Sequence, residues 1–195
     1  MAAKRILAID PGNVMSGYVI VEHDGEEIRQ VIERGKIPNH ELLSVIDSFF
    51  LSDGSDDFSE EPKELAIEMI QSMGMAVGQT VFETCVWIGR FLERAGSLNK
   101  NLEYRYIYRR EEKMNLCGTM KAKDANIRQA LVDRYALGAT NSGKGTKKEP
   151  GFFFGFKADI WQAMAVAVTY FDLYVRGQKD DEMVKSELSA EEAIE

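Results

Sequence analysis

Arg5-Ile6-Leu7-Ala8-Ile9-Asp10-Pro11-Gly12 is the stretch on which the fold turns. Its apolar run reads as a buried strand, and Pro11-Gly12 makes the turn that ends it. Gly17-Tyr18-Val19-Ile20-Val21-Glu22 reads as a second strand, and Asp24-Gly25 supplies hairpin chemistry leading to a third strand over about residues 27–37. Pro38-Asn39 opens a helix over about residues 40–51, and the acidic, turn-rich residues 52–62 read as a surface loop. Glu64 to Met69 is a short central strand. Residues 77–95 carry Val81, Cys85, Ile88 and Leu92 at helical spacing, and Leu102 to Tyr108 makes a fifth strand. A helix over about residues 124–135 has Asp124 as its expected N-cap, residues 141–151 read as a flexible basic linker, and residues 157–176 form an Ala-rich closing helix. Three strands in succession followed by alternating helices and strands predict an α/β fold, a five-stranded mixed sheet with helices on both faces.

A chain of 195 residues with 45% hydrophobic content suits one substantial core rather than two. The expected domain is residues 1–177, with residues 178–195 an acidic tail outside the core, where seven acids face two lysines. The net charge of -8 argues, taken alone, against nucleic acid. The average hides an asymmetry: Asn99 to Lys148 carries +7, leaving -15 for the rest. Cys85 and Cys117 belong to no C-x-x-C pair, which implies a reducing compartment without disulfides or a zinc site. No apolar run reaches the roughly 18 residues of a membrane span, so the expected location is the cytoplasm.

Three carboxylates stand out. Asp10 ends an apolar strand, where an ionised group costs several kcal/mol to bury unless a cation or hydrogen-bond donors offset it. Gly12 and Gly17 leave room for a phosphate or metal near the backbone, although a strand-end aspartate can also simply cap its own turn. Glu68 poses the same problem between Leu65-Ala66-Ile67 and Met69-Ile70. Asp159 lies in the first turn of the closing helix, where the macrodipole alone favours an acid. Its helix has Ala163 and Ala167 on the same face, small enough for close approach to the sheet. Two Mg2+ ions about 3.5–4 Å apart, held by carboxylate oxygens, suit phosphodiester hydrolysis, and three acids are near the minimum for such a site.

Ile9-Asp10-Pro11-Gly12 with Gly17-Tyr18, then Ala66-Ile67-Glu68, then Ala158-Asp159-Ile160-Trp161-Gln162-Ala163-Met164-Ala165-Val166-Ala167 resemble RuvC-type Holliday-junction resolvases of the ribonuclease-H-like superfamily. The resemblance runs from about residue 4 to 173 and looks closest to the RuvC-like resolvases of bacteriophages. Lys123 to Leu131 and Gly145 to Gly151 are the segments most similar to that subgroup. It implies a ribonuclease-H-like fold and a homodimeric endonuclease that cleaves branched DNA in a bacterium or a phage-infected host. Asp10, Glu68 and Asp159 would bind two Mg2+ ions, or Mn2+, and carry catalysis. Lys113 and Lys123 fall where the family places cations near the scissile phosphate and DNA backbone. The bacterial pattern has a second aspartate one turn after the first in the last helix, and here that position is Gln162. An amide offers only a neutral oxygen, so Gln162 is a weaker candidate ligand; the second metal would bind more weakly, gain a water or recruit another acid.

The basic window supplies the charge that nucleic-acid backbones demand, with Arg109, Arg110, Lys113, Lys121, Lys123, Arg128, Lys147 and Lys148 as the candidate contacts; a merely solvated face is the plainer reading. Phe152, Phe153, Phe154 and Phe156 read as core ahead of stacking on unpaired bases. Met69, Met73 and Met75 read as packing around Gly74. His23 and His40 read as surface residues in turns. Trp87, Phe91 and Phe82 give the second helix more apolar surface than one face needs, which predicts a homodimer. Competing functions are a YqgF-type nuclease acting on RNA, a non-catalytic junction-binding protein, and an actin-like ATP-binding module. The last is disfavoured by the missing second Asp-x-Gly loop.

Overall fold

The computed structural model describes residues 4–51, 63–72, 74 and 76–177. The proposed acidic tail, the loop at residues 52–62, Met73 and Met75 lie outside the described residues. Five strands are present: β1 (Lys4–Asp10), β2 (Met15–His23), β3 (Ile28–Pro38), β4 (Lys63–Met69) and β5 (Tyr104–Tyr108). They lie in the order β3-β2-β1-β4-β5, with β1-β2 and β2-β3 antiparallel and β1-β4 and β4-β5 parallel. This is the mixed sheet expected of the ribonuclease-H-like fold.

Both faces are covered, which is why β1 and β4 read as unbroken apolar runs. Leu7, Ile9, Leu65 and Ile67 pack beneath α1 (Asn39–Leu51) and α2 (Gln79–Leu98). On the other face Ile6, Ala8 and Ala66 pack against α5 (Ile160–Tyr170), α4 (Asp124–Tyr135) and the Phe153 and Phe156 rings. Full burial of one such large aliphatic side chain stabilises by about 1.5–3 kcal/mol. In α5 only Gln162 escapes full burial. The helix continues as a wider π turn over Phe171–Arg176.

Several local expectations need correction. A helix at Arg109–Cys117, α3, follows β5 without a break; its polar sequence hides it, because Glu112 is its one fully buried residue. The buried stripe of α2 is Thr84, Ile88, Phe91 and Ala95 rather than the Val81, Cys85, Ile88, Leu92 stripe, which leaves Phe82 and Val86 60% and 62% exposed. Lys123, not Asp124, is the N-cap of α4. Residues 141–151 are folded rather than a free linker: a 3-10 turn at Thr140–Gly143 is followed by a bridge between Gly145 and Pro150. Gly143, at a φ of 73°, is required there because a Cβ would come 2.3 Å from that of Ala136. His23 is buried, not exposed, with its ring edge against Phe171 and Nε2 3.5 Å from Glu64. His40 is exposed, as expected. Phe153 and Phe156 are core residues, as their position before α5 predicts.

Candidate active site

Ile9 pairs with Ile67 across the parallel β1-β4 ladder, and the next residue of each strand is an acid, Asp10 and Glu68. Side chains alternate along a strand. Ile6, Ala8 and Ala66 face α5, so Asp10 and Glu68 face it too. The two carboxyls lie close enough that a hydrogen bond between them favours the neutral form of Asp10 and the charged form of Glu68. Burial, the Glu68 charge, that hydrogen bond and the charges of Asp159 and Glu112 push Asp10 up to about 9. Burial also raises Glu68, against the opposing effect of the Asp10 hydrogen bond and the nearby Arg109 charge.

Asp159 reaches this end of the sheet because Gly17, the β2 partner of Asp10, has no side chain. A Cβ on Gly17 would lie 2.6 Å from the Asp159 carbonyl oxygen and 3.0 Å from its Cβ. Asp159 is the N-cap of α5 rather than a residue of its first turn, and its carboxylate makes no capping hydrogen bond. It pairs instead with Lys36 on β3, Oδ2 to Nζ at 2.5 Å. Thus Asp10, Glu68 and Asp159 share one end of the sheet, but no three His, Cys, Asp or Glu side chains among the described residues stand close enough to hold an ion jointly.

The turn between β1 and β2 is held by buried polar groups that nothing in their sequence context singles out. Ser16 Oγ donates to Asn39 Oδ1 at 2.7 Å, Asn39 Nδ2 donates to the Gly12 carbonyl at 2.8 Å, and Gly12 N donates to Ser16 Oγ at 3.2 Å. Asn39, read from sequence only as part of the helix opening, holds the loop that carries the residues after Asp10.

On the other flank stands Arg109, the first residue of α3. Its guanidinium pairs with Glu112 and Asp124, and Nη1 donates to Gln162 Oε1 at 2.7 Å. Glu112, missed from sequence because it sits in a run of charges, has a fully buried side chain whose Oε1 lacks a hydrogen-bond partner. Burial and the Glu68 charge push it up to about 8, against the pull of Arg109.

A groove of about 340 Å³ opens beside Glu68, lined by Pro11, Arg109, Arg110, Lys113, Met69 and Met120. Arg110 and Lys113 therefore border the acids. Arg110, Lys113, Lys121, Lys123, Arg128, Lys147 and Lys148 form no ion pair with another described residue. Arg128 lies over the Trp161 ring, 4.7 Å from its centroid. Lys147 and Lys148 are exposed on the folded turn after α4. Arg109 differs from these cations in being engaged by acids.

The donor chemistry fits a hard cation. Asp10 and Glu68 are half-buried carboxyls at adjacent strand ends, and neither forms an ion pair with a cationic side chain among the described residues. These two carboxyls would hold Mg2+ or Mn2+, whose charge would offset their mutual repulsion.

No protein-family model matches the chain, and no curated protein matches it. Among solved structures it is similar to RuvC of Thermus thermophilus, at 17% identity and a TM-score of 0.58, covering 88% of this chain and 97% of that one. It is also similar to T. thermophilus RuvC in complex with Holliday junction substrate, at 14% identity and a TM-score of 0.56, with the same coverage. At these identities the likeness is one of fold: the chain carries the ribonuclease-H-like α/β fold in the form found in RuvC.

Proposed function

We propose that this chain is a metal-dependent endonuclease that cleaves branched DNA, four-way junctions foremost. The observation that carries the reading is the Asp10–Glu68 pair, two half-buried carboxyls at adjacent strand ends beside a groove bordered by cations. A fold built on apolar strands gains nothing from such a pair unless a ligand balances it. The substrate class follows the fold likeness, since RuvC of T. thermophilus has been solved with a Holliday junction substrate.

A bound Mg2+ or Mn2+ would polarise the phosphodiester and make water a competent nucleophile near neutral pH. Asp10 and Glu68 would hold it, with the proton of Asp10 released as it binds. Asp159, held by Lys36 at Oδ2, stands on the α5 side and would have to move closer to add a third carboxylate. Arg110 and Lys113 would take phosphates at the groove, while Lys121, Lys123, Arg128, Lys147 and Lys148 would extend the contact along the backbone. The exposed Phe82 and Val86 of α2 suit a homodimer in which each subunit cuts one strand. Such a role places the protein in the cytoplasm of a bacterium or a phage-infected host. The family resemblance calls for two ions; the Asp10–Glu68 pair accounts for one.

The reading is tested by incubating purified protein with a labelled four-way junction, linear duplex of the same sequence and a structured RNA, each with Mg2+. Paired nicks confined to the junction are expected. Preferential cutting of the RNA would replace this reading with a YqgF-type one, and junction binding without cutting would leave a non-catalytic binder.

A further inference from the structure

Gln162 and Asp159 both sit at the start of α5, and each is already engaged by a protein cation. Lys36 holds Asp159, and Arg109 donates to Gln162 Oε1 at 2.7 Å. Arg109 is not a loose surface group. Its guanidinium joins three helices by meeting Glu112 of α3, Asp124 of α4 and Gln162 of α5 at once. Glu112 is fully buried, and among the described residues Arg109 is the one partner of its carboxylate. A guanidinium does not lose its proton in a protein, so this corner carries a fixed positive charge. A divalent ion seated there would have to break the Arg109 contacts with Gln162 and Glu112 and then remain beside the displaced charge. The ligand gained at Gln162 would be a neutral amide oxygen.

We propose that the site takes a single divalent cation, at Asp10 and Glu68, and that Arg109, seated by Glu112 and Gln162, serves as the second positive charge facing the phosphate. This rests on the nuclease reading above and narrows it. The side chain of Arg109 is 26% exposed and lines the same groove as Glu68, Arg110 and Lys113, so part of the guanidinium is reachable from the side on which DNA would approach. A planar fork suits a phosphate better than a lysine does. Glu112 and Gln162 are then positioning residues. Both meet Nη1, and the exposed Asp124 meets Nη2, so the substrate would reach the guanidinium by displacing Asp124 or at the Nε edge.

The test is the number of Mn2+ ions bound by the full chain, read from the electron paramagnetic resonance of free Mn2+ during titration without DNA. One ion per chain is expected, lost in Asp10→Asn. Two ions of affinities within tenfold of each other in the native protein, both or one lost in Asp10→Asn, would overturn the single-ion proposal and leave the nuclease reading standing. Ion binding unchanged by Asp10→Asn would overturn both. Gln162→Asp separates the causes: with Arg109 present it is expected to bind one ion still, because the new carboxylate pairs with the guanidinium. Gln162→Asp combined with Arg109→Gln is expected to bind two. A second ion in Gln162→Asp alone would show that Arg109 does not hold the place. For the role on the phosphate, Arg109→Lys is expected to lower kcat at least tenfold while the Mn2+ count and junction affinity stay within about twofold; unchanged kcat would contradict it.

Discussion

Asp10 and Glu68 follow the paired Ile9 and Ile67 at the ends of two parallel strands, where burial raises both carboxyls above the ordinary carboxylate range. The pH dependence of the pair has a definite sign. Asp10 is raised to about 9 in the folded protein, far above the ordinary value of about 3.9 that it regains on unfolding. The folded state thus binds the proton more tightly, so the contribution to stability is full below about pH 4 and is lost as pH rises through about 9. Glu112, raised to about 8, acts in the same direction. Thermal unfolding in a chelator should show a Tm that falls from pH 5 to pH 9, and Mg2+ should restore it most at the alkaline end. A Tm flat across that range would contradict the assignment.

Asp10→Asn removes the charge and keeps a donor for Glu68. It should stabilise the metal-free protein at pH 8 by about 1–3 kcal/mol, visible as a Tm higher by several degrees. The same variant should lose the stabilisation by Mg2+. A lower Tm would mean that Asp10 is held by attractive contacts instead.

Gly17→Ala places a methyl group 2.6 Å from the Asp159 carbonyl oxygen. The start of α5 must shift, at an expected cost of about 1–3 kcal/mol. Because Asp159 would move away from Asp10, cleavage should fall more steeply than stability. Denaturant unfolding beside a cleavage assay separates the two effects.

Asn39→Ala leaves Ser16 Oγ and the Gly12 carbonyl without the partners they have in the buried turn. The expected loss is about 2–4 kcal/mol, since two buried polar groups lose their bonds. A surface residue would cost almost nothing, and a change in urea midpoint distinguishes the cases.

Lys113→Ala and Arg110→Ala should weaken junction binding alike on all junction sequences, and each should reduce the slope of log affinity against log salt by about one. Binding titrations at several salt concentrations read this directly. An unchanged slope would remove these residues from the phosphate path.

The sheet was legible because β1 and β4 are buried on both faces, so a carboxylate at the end of either run is conspicuous. The period of two then puts Asp10 and Glu68 on the same side without any knowledge of the helices. What pairs with the acids was not legible. Lys36 and Arg109 come from β3 and α3, and their contacts depend on how those elements pack, not on spacing. The helix α3 gave no apolar rhythm because the residue it buries most fully is Glu112. His23 next to Asp24-Gly25 reads as a turn residue, yet it is the last residue of β2 and is covered by Phe171 from beyond α5. Asn39 looks like an ordinary helix start, and its hydrogen bonds run back across 27 residues to Gly12.

The most direct measurement is single-turnover cleavage of a four-way junction in Mg2+ by the native chain, Asp10→Asn and Glu68→Gln, with junction affinity measured alongside. The account predicts paired nicks by the native protein and a loss of at least about a hundredfold in either variant, on the scale expected for removing a principal charge-stabilising group, with binding retained within a few-fold. Cleavage by Asp10→Asn and Glu68→Gln at the native rate would contradict it.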